Sequence, residues 1–114
     1  IVLDSFPYSG TTTTCESLLM GVPIVTLMGA TSASRVSASI QRHAGAGDLV
    51  ARTPEQFVSI AAGLAGDRER LATLRRELPE WFERTMGDGA AFARRFEAAI
   101  REQGGEACRR QGRG

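Results

Sequence analysis

The sequence contains no lysine, and all 14 of its basic residues are arginine. A genome rich in G and C explains this usage, and we attach no function to it. The absence excludes a Walker-type phosphate loop, which needs Gly-Lys-Ser or Gly-Lys-Thr after its glycine. The arginines are balanced by 13 acids, so the net charge is only +1. Because both signs are mixed along the second half of the chain, we expect solvated helix faces and no nucleic-acid partner.

Cysteine, histidine and long apolar runs are scarce as well. Cys15 and Cys108 have neither metal-ligand spacing nor a disulfide framework around them, so we expect free thiols and no metal cofactor. His43 lies near a predicted helix end, which favours a helix-end charge over a catalytic base. No apolar run could span a bilayer, and no basic-then-apolar leader is present. We therefore expect a cytoplasmic protein with no membrane partner.

The length of 114 residues suits one domain with a modest core. Ile1 is not a methionine, and residues 1–3 already have the apolar, β-branched character of a strand. A parallel strand needs neighbours from elsewhere in a sheet. We therefore expect this chain to be the carboxyl-terminal piece of a longer protein.

The first 27 residues predict a βαβ unit. A strand over residues 1–3 is followed by a turn and by a helix that opens at Thr11. Gly21 suits the left-handed position just after a helix, and residues 22–27 form an apolar strand. A strand, a helix and a second strand at this spacing imply a parallel sheet with a right-handed crossover.

The remainder predicts one more short strand and then helices. A helix over residues 33–43 ends at a glycine-rich break, and Thr53-Pro54 marks a capped helix start. Pro79 predicts a kink or break in the helix that carries it. We expect an α/β fold, a partial Rossmann-like domain finished by helices, over residues 1–102, and a disordered tail over residues 103–114.

Residues 10–16 carry the functional interpretation. Gly10 ends a turn, the threonines Thr11, Thr12 and Thr13 open a helix, and Glu16 lies one turn further along the same face. A helix N-terminus has unpaired N–H groups and partial positive charge, so it attracts phosphate. Ligands of open α/β sheets bind at the carboxyl ends of the strands. This segment therefore predicts a nucleotide site, with the helix start on the phosphates and Glu16 on a ribose.

The same residues also have purely structural interpretations. Threonine is a common N-cap, although one cap needs only one hydroxyl, and Glu16 also suits the helix dipole. Arg35 is either a phosphate partner or a structural bridge, while Phe6 and Tyr8 either pack under the turn or line the pocket. The G-x-G-x-x-G fingerprint of dinucleotide sites is missing from this turn.

Several stretches of the sequence together resemble one enzyme family. Over residues 1–102 the chain is similar to the carboxyl-terminal half of the O-linked N-acetylglucosamine transferases, glycosyltransferase family 41. Members of this family usually carry tetratricopeptide repeats ahead of the catalytic region. The stretches that carry the resemblance are Val2–Thr13, Glu16–Leu18, Met20–Leu27, Gly29–Ser39 and Asp67–Leu71.

The resemblance implies a GT-B fold, in which two Rossmann-like halves enclose the active site, and an inverting transfer from a UDP-sugar without a metal. It implies that Thr11–Thr13 bind the UDP diphosphate and that Glu16 holds the ribose. In the animal enzymes an aspartate fills the Glu16 position and a histidine the Thr11 position. The chain also has Met-Gly-Ala at residues 28–30, where the family often has Pro-Gly-Glu. The family's lysine, uracil-contacting segment and acceptor-side histidine would precede Ile1.

Two hypotheses of different classes remain open. In the first, the chain is the UDP-binding half of a transferase that moves N-acetylglucosamine from UDP to a serine or threonine of an acceptor protein. In the second, it is a non-catalytic remnant or interaction module that keeps only the scaffold. Under the first, this piece alone binds nucleotide weakly and does not catalyse, because a helix N-terminus supplies only part of the charge that the leaving UDP needs.

Overall fold

The computed structural model describes the backbone of residues 1–111 and the side chains of residues 1–105. Its sheet has three parallel strands in the order β1-β2-β3. Val2 lies opposite Ile24, and Thr26 lies opposite Val50. The predicted α/β class with a parallel sheet is confirmed. The strands are β1 (Val2–Leu3), β2 (Ile24–Leu27) and β3 (Val50–Ala51).

Among residues 1–111, five helices accompany the sheet. A 3-10 turn over Gly47–Leu49 leads into β3, and a π-helical turn over Glu83–Gly87 separates the last two helices. Within the described residues, no helix is both long enough and apolar enough to cross a bilayer. The helices are α1 (Thr12–Leu19), α2 (Val36–His43), α3 (Pro54–Gly66), α4 (Arg68–Phe82) and α5 (Gly89–Gln111).

The core lies between β2 and the helices that surround it. β2 has a strand on each side and is buried, and three of its four residues are apolar, as expected of a central parallel strand. Leu18 of α1 and Leu78 of α4 are fully buried. The largest cluster joins these side chains to Ile24, Val25, Ile40, Leu49, Leu64, Leu74 and Phe82.

Helix α4 continues through Pro79, so of the predicted kink or break near Leu78 the break is wrong. A proline inside a helix leaves the carbonyl four residues earlier without its N–H donor, and here that carbonyl belongs to Arg75. Gly21 lies against the Arg75 carbonyl oxygen, where any Cβ would collide with it. The burial of Leu78 and Phe82 on the core side of α4 compensates for the lost hydrogen bond and keeps the helix continuous.

Two other boundaries differ from the sequence expectation. Helix α2 starts at Val36, not Ala33, because the hydroxyl of Ser34 turns back to the amide of Thr31 at 3.1 Å and stabilises a separate turn. Helix α5 continues through Gln111, so residues 103–111 are helical where a disordered tail was expected. Alanine, arginine, glutamate and glutamine favour a helix there despite two glycines. Residues 112–114 lie outside the described part.

Candidate functional site

The turn that precedes α1 is held by a carboxylate that sequence reasoning missed. Asp4 directly follows β1, and its Oδ1 accepts hydrogen bonds from the amides of Ser5 at 3.0 Å and Gly10 at 2.9 Å. Its Oδ2 accepts one from the hydroxyl of Thr26 on β2. One side chain therefore ties both ends of the turn to the end of the sheet. The available signal was an acid immediately after a strand and six residues before a glycine.

Gly10 approaches the start of α1 too closely for any side chain. A Cβ at this position would lie 2.6 Å from Oγ1 of Thr13, 2.8 Å from Oγ1 of Thr14 and 3.1 Å from Oδ1 of Asp4. Contacts of this kind make glycine a requirement of the packing. The amide of Gly10 already donates to Asp4, so a phosphate that approaches this glycine would meet the amides that follow it at the start of α1.

Beneath the turn, a buried hydroxyl network joins α1 to α2. Ser9 donates its hydroxyl to the carbonyl of Ala33 at 2.9 Å and accepts the amide of Ser37 at 3.3 Å. The Ser37 hydroxyl is 3.0 Å from the Thr14 hydroxyl, and Nε2 of Gln41 donates to it at 3.3 Å. Because these groups are buried and hydrogen-bonded, they fix the direction in which α1 begins.

The threonines of the predicted site divide into two groups. Thr11, Thr12 and Thr13 are exposed, whereas Thr14 is buried in the network below them. Thr11 occupies the N-cap position of α1, but no side chain within the described residues makes a capping hydrogen bond there, so side-chain capping does not account for the run of threonines. The amides of the first turn are therefore open to a ligand.

Glu16 is exposed on the second turn of α1. Glu16 lies outside the first turn of α1, which holds no acid. The helix dipole acts mainly within that first turn, so it gives only a weak reason for an acid at position 16. The structure thus places Gly10, Thr11–Thr13 and Glu16 in one open segment at the carboxyl end of β1. The assignment of nucleotide contacts to these residues stays a prediction.

The neighbouring candidates have mainly structural contacts. Nε of Arg35 donates to the carbonyl of Gly29 at 2.9 Å, which bridges the start of α2 and the loop after β2. Tyr8 is 71% exposed. Phe6 is 57% exposed, and its ring lies beside Gly29, where a Cβ would be 3.1 Å from Cε2 of Phe6. His43 donates from Nδ1 to the carbonyl of Ser39 at 3.0 Å near the end of α2, as expected of a helix-end histidine.

The site offers polar groups and little charge. Partial burial raises the pKa of the Cys15 thiol, which follows the threonines and therefore stays protonated at neutral pH. Among the described residues, no group of three or more His, Cys, Asp or Glu side chains could hold a metal ion. The segment can thus orient a phosphate by amides and hydroxyls, but neutralising a diphosphate needs cations from elsewhere.

Comparison with known proteins decides the family. Residues 1–93 match the family described as Glycosyl transferase family 41. The chain belongs to this family. It is also 46% identical over 109 residues to the barley (Hordeum vulgare) protein described as a probable UDP-N-acetylglucosamine–peptide N-acetylglucosaminyltransferase SPINDLY, which covers 95% of this chain and 12% of the barley protein. The chain therefore spans about an eighth of the length of this curated relative.

More distant relatives agree with this assignment. A Caenorhabditis elegans UDP-N-acetylglucosamine–peptide N-acetylglucosaminyltransferase is 38% identical over 85 residues, which cover 75% of this chain and 7% of the relative. The solved structure of a mutant O-GlcNAc transferase from Thermobaculum terrenum matches with a TM-score of 0.86 and 44% identity, over 96% of this chain and 21% of that chain. At this similarity, the family 41 chain shares the fold of the matching part of the bacterial enzyme.

Proposed function

We propose that this family 41 chain is the nucleotide-holding part of a UDP-sugar-dependent protein O-glycosyltransferase. The observation that supports it is the start of α1, where no side chain within the described residues makes a capping hydrogen bond and where a Cβ on the preceding Gly10 would lie 2.6 and 2.8 Å from two threonine hydroxyls. In this proposal the diphosphate lies against Gly10, whose own amide is bonded to Asp4, and is bound by the amides and hydroxyls of Thr11–Thr13. Glu16 accepts hydrogen bonds from the ribose. The donor is UDP-N-acetylglucosamine or a similar UDP-sugar, and the acceptor is a serine or threonine of a protein.

The proposal includes a second, preceding half that completes a GT-B active site. Two observations support it. Strand β1 has one strand neighbour within the described residues, and Leu3 is 59% exposed, so its outer edge is open to a further strand. The relatives are also much longer than this chain. That half would supply the cations that neutralise the leaving UDP during an inverting transfer. The tetratricopeptide repeats would precede it. A cytoplasmic location stays a prediction.

A titration of UDP into the 114-residue chain, followed by amide chemical shifts in an NMR spectrum, tests the site. We expect weak binding whose shifts concentrate on residues 10–16. Thr12→Val and Glu16→Ala should each weaken binding by about fivefold, which corresponds to about 1 kcal/mol for one exposed hydrogen bond to a charged or ribose group. No sugar transfer is expected from the chain alone.

Two variants on α4 provide matched controls. Thr73→Val removes the same hydroxyl, and Glu69→Ala removes the same carboxylate from another early helical turn, both outside residues 10–16. We expect both to bind UDP as the unaltered chain does. Tight binding that neither site variant changes, or shifts that map elsewhere, would contradict the assignment.

A further inference from the structure

A pocket that shares no lining residue with the nucleotide segment lies along α2, and we call it the arginine pocket. Its volume is about 560 Å³, and it runs along α2 beside the ends of β2 and β3. Arg35 stands before α2, Arg42 and His43 end it, and Arg52 directly follows β3. A volume of this size accommodates a small ligand or a few residues of a peptide.

The charge of the arginine pocket is uncompensated. None of its lining residues is acidic. The ion pairs among residues 1–105 join Arg70 to Asp48, Arg84 to Glu80 and Arg101 to Glu97, and none of them involves a pocket arginine. The chain as a whole has a net charge of only +1, so this local excess does not follow from composition. Three like charges around one cavity repel each other, and an anion between them would remove that repulsion.

Several of the pocket side chains are held in place before any ligand arrives. Nε of Arg35 is fixed by the carbonyl of Gly29 at 2.9 Å, and Nδ1 of His43 by the carbonyl of Ser39 at 3.0 Å. The stem of Arg42 runs beside Gly47, where a Cβ would lie 3.3 Å from Cγ of Arg42. Side chains that are already ordered lose less conformational entropy when they bind a partner.

We propose that the arginine pocket binds an acidic stretch of the acceptor protein, with aspartate or glutamate carboxylates paired to Arg42 and Arg52. The guanidinium fork matches a carboxylate with two parallel hydrogen bonds. Met28 and Arg52 mark the same edge of the sheet as the Gly10 turn, so a protein that reaches the donor site from this edge passes the pocket. The identity of the partner as the acceptor rests on the function proposed above.

The pocket suits a peptide better than a nucleic acid. Single-stranded nucleic acids are bound by extended basic grooves with aromatic side chains on which the bases stack. The arginine pocket is an open cleft of about 560 Å³ formed by seven residues, and no phenylalanine, tyrosine or tryptophan lines it. Its neutral lining is formed by Met28, Ala38 and Ser39, which offer contact to aliphatic stems but no stacking surface.

Fluorescence anisotropy with a labelled ten-residue peptide rich in aspartate and glutamate tests the proposal on the 114-residue chain. We expect Arg42→Gln and Arg52→Gln each to weaken binding by about fivefold, the upper range for a single exposed ion pair. Arg76→Gln, on the exposed side of α4, makes the same change in net charge outside the pocket and should leave binding unaltered. Binding should also weaken as salt rises from low to physiological concentration.

Specific outcomes would overturn the inference. Equal binding of a peptide with asparagine and glutamine in place of the acids would show that carboxylates are not recognised. Equal losses in Arg42→Gln and Arg76→Gln would show that only net charge matters. Stronger binding of single-stranded DNA or inorganic phosphate would assign the pocket to another ligand. Thermal unfolding of each variant establishes that it is folded.

The same set of variants separates this inference from the proposed nucleotide site. Thr12→Val should weaken UDP binding and leave peptide binding intact. Arg42→Gln should do the reverse. If Thr12→Val leaves UDP binding unchanged while Arg42→Gln still weakens peptide binding, only the nucleotide assignment is contradicted. If Arg42→Gln leaves peptide binding unchanged while Thr12→Val still weakens UDP binding, only the arginine pocket is contradicted.

Discussion

Replacing Asp4 by alanine should destabilise the chain more than any other single change at the predicted site. Asp4 accepts three hydrogen bonds, from the amides of Ser5 and Gly10 and from the hydroxyl of Thr26. Thr26 is only 1% exposed, so its hydroxyl would be left buried without this acceptor. A hydrogen bond to a charged group contributes about 1.5–3 kcal/mol where water is excluded and less where it is not.

Because the Ser5 bond is exposed and the three bonds share one acceptor, we expect a total loss of about 3 kcal/mol in the free energy of unfolding. For a chain of this size that corresponds to a fall of roughly 12 °C in the melting temperature. Circular dichroism during heating measures the melting temperature, and urea unfolding gives the free energy. UDP binding by Asp4→Ala should weaken together with stability, because the turn at Gly10 loses its anchor.

Asp4→Asn is the matched control for this prediction. The amide keeps an oxygen for the two backbone N–H groups, and its nitrogen can donate to the Thr26 hydroxyl oxygen, so the geometry of the turn survives. We expect a loss of about 1 kcal/mol, since the charge is removed and the Thr26 hydroxyl changes from donor to acceptor in this contact. If Asp4→Ala lost less than about 1 kcal/mol, or no more than Asp4→Asn, the carboxylate would not be the anchor that we infer.

Two further predictions concern stability alone. Thr53→Ala removes the oxygen that accepts the Gln56 amide hydrogen bond at 3.2 Å, so the free energy of unfolding in urea should fall by about 1 kcal/mol. An unchanged urea midpoint would contradict the cap. Thr53→Ser keeps the hydroxyl and should retain most of the stability. Gly21→Ala combines a left-handed backbone, φ 67°, with a collision against the Arg75 carbonyl, so we expect a loss of more than about 2 kcal/mol; Gly63→Ala, in open space on α3, should be neutral or stabilising.

The local features of the chain were readable from its sequence. Gly21 closes α1 as predicted: its amide donates to Leu18 at 3.1 Å, and the next amide, of Val22, donates to Ser17 at 2.8 Å, which is the glycine-terminated helix end. Thr53 caps α3, and the parallel sheet follows from the βαβ spacing. The two helix ends depend on residues only a few positions apart, whose conformational preferences act alike in most folds. The parallel pairing follows from the order of the strand and helix segments along the chain.

Of the predicted nucleotide segment, the sequence could indicate the residues but not what supports them. Asp4 was missed because its role depends on Thr26, which is 22 residues away and joins it only once β1 and β2 pair. The link between Ser9 and Ser37 spans 28 residues. Thr14 looked like its three neighbours, and only the packing of α1 on α2 separates it, buried and hydrogen-bonded, from the exposed Thr11–Thr13.

By itself, then, the sequence determined the α/β class, the helix that opens at the threonines and the family resemblance, since these depend on local pattern and motif. The tertiary structure decided three other features: the anchor at Asp4, the continuity of α4 through Pro79 and the arginine pocket. The physical reason is the same in each case. All three depend on contacts between remote residues, which no local preference encodes. Asp4 meets a distant hydroxyl, the hydrogen bond lost at Pro79 is offset by burial, and the pocket arginines come from separate elements.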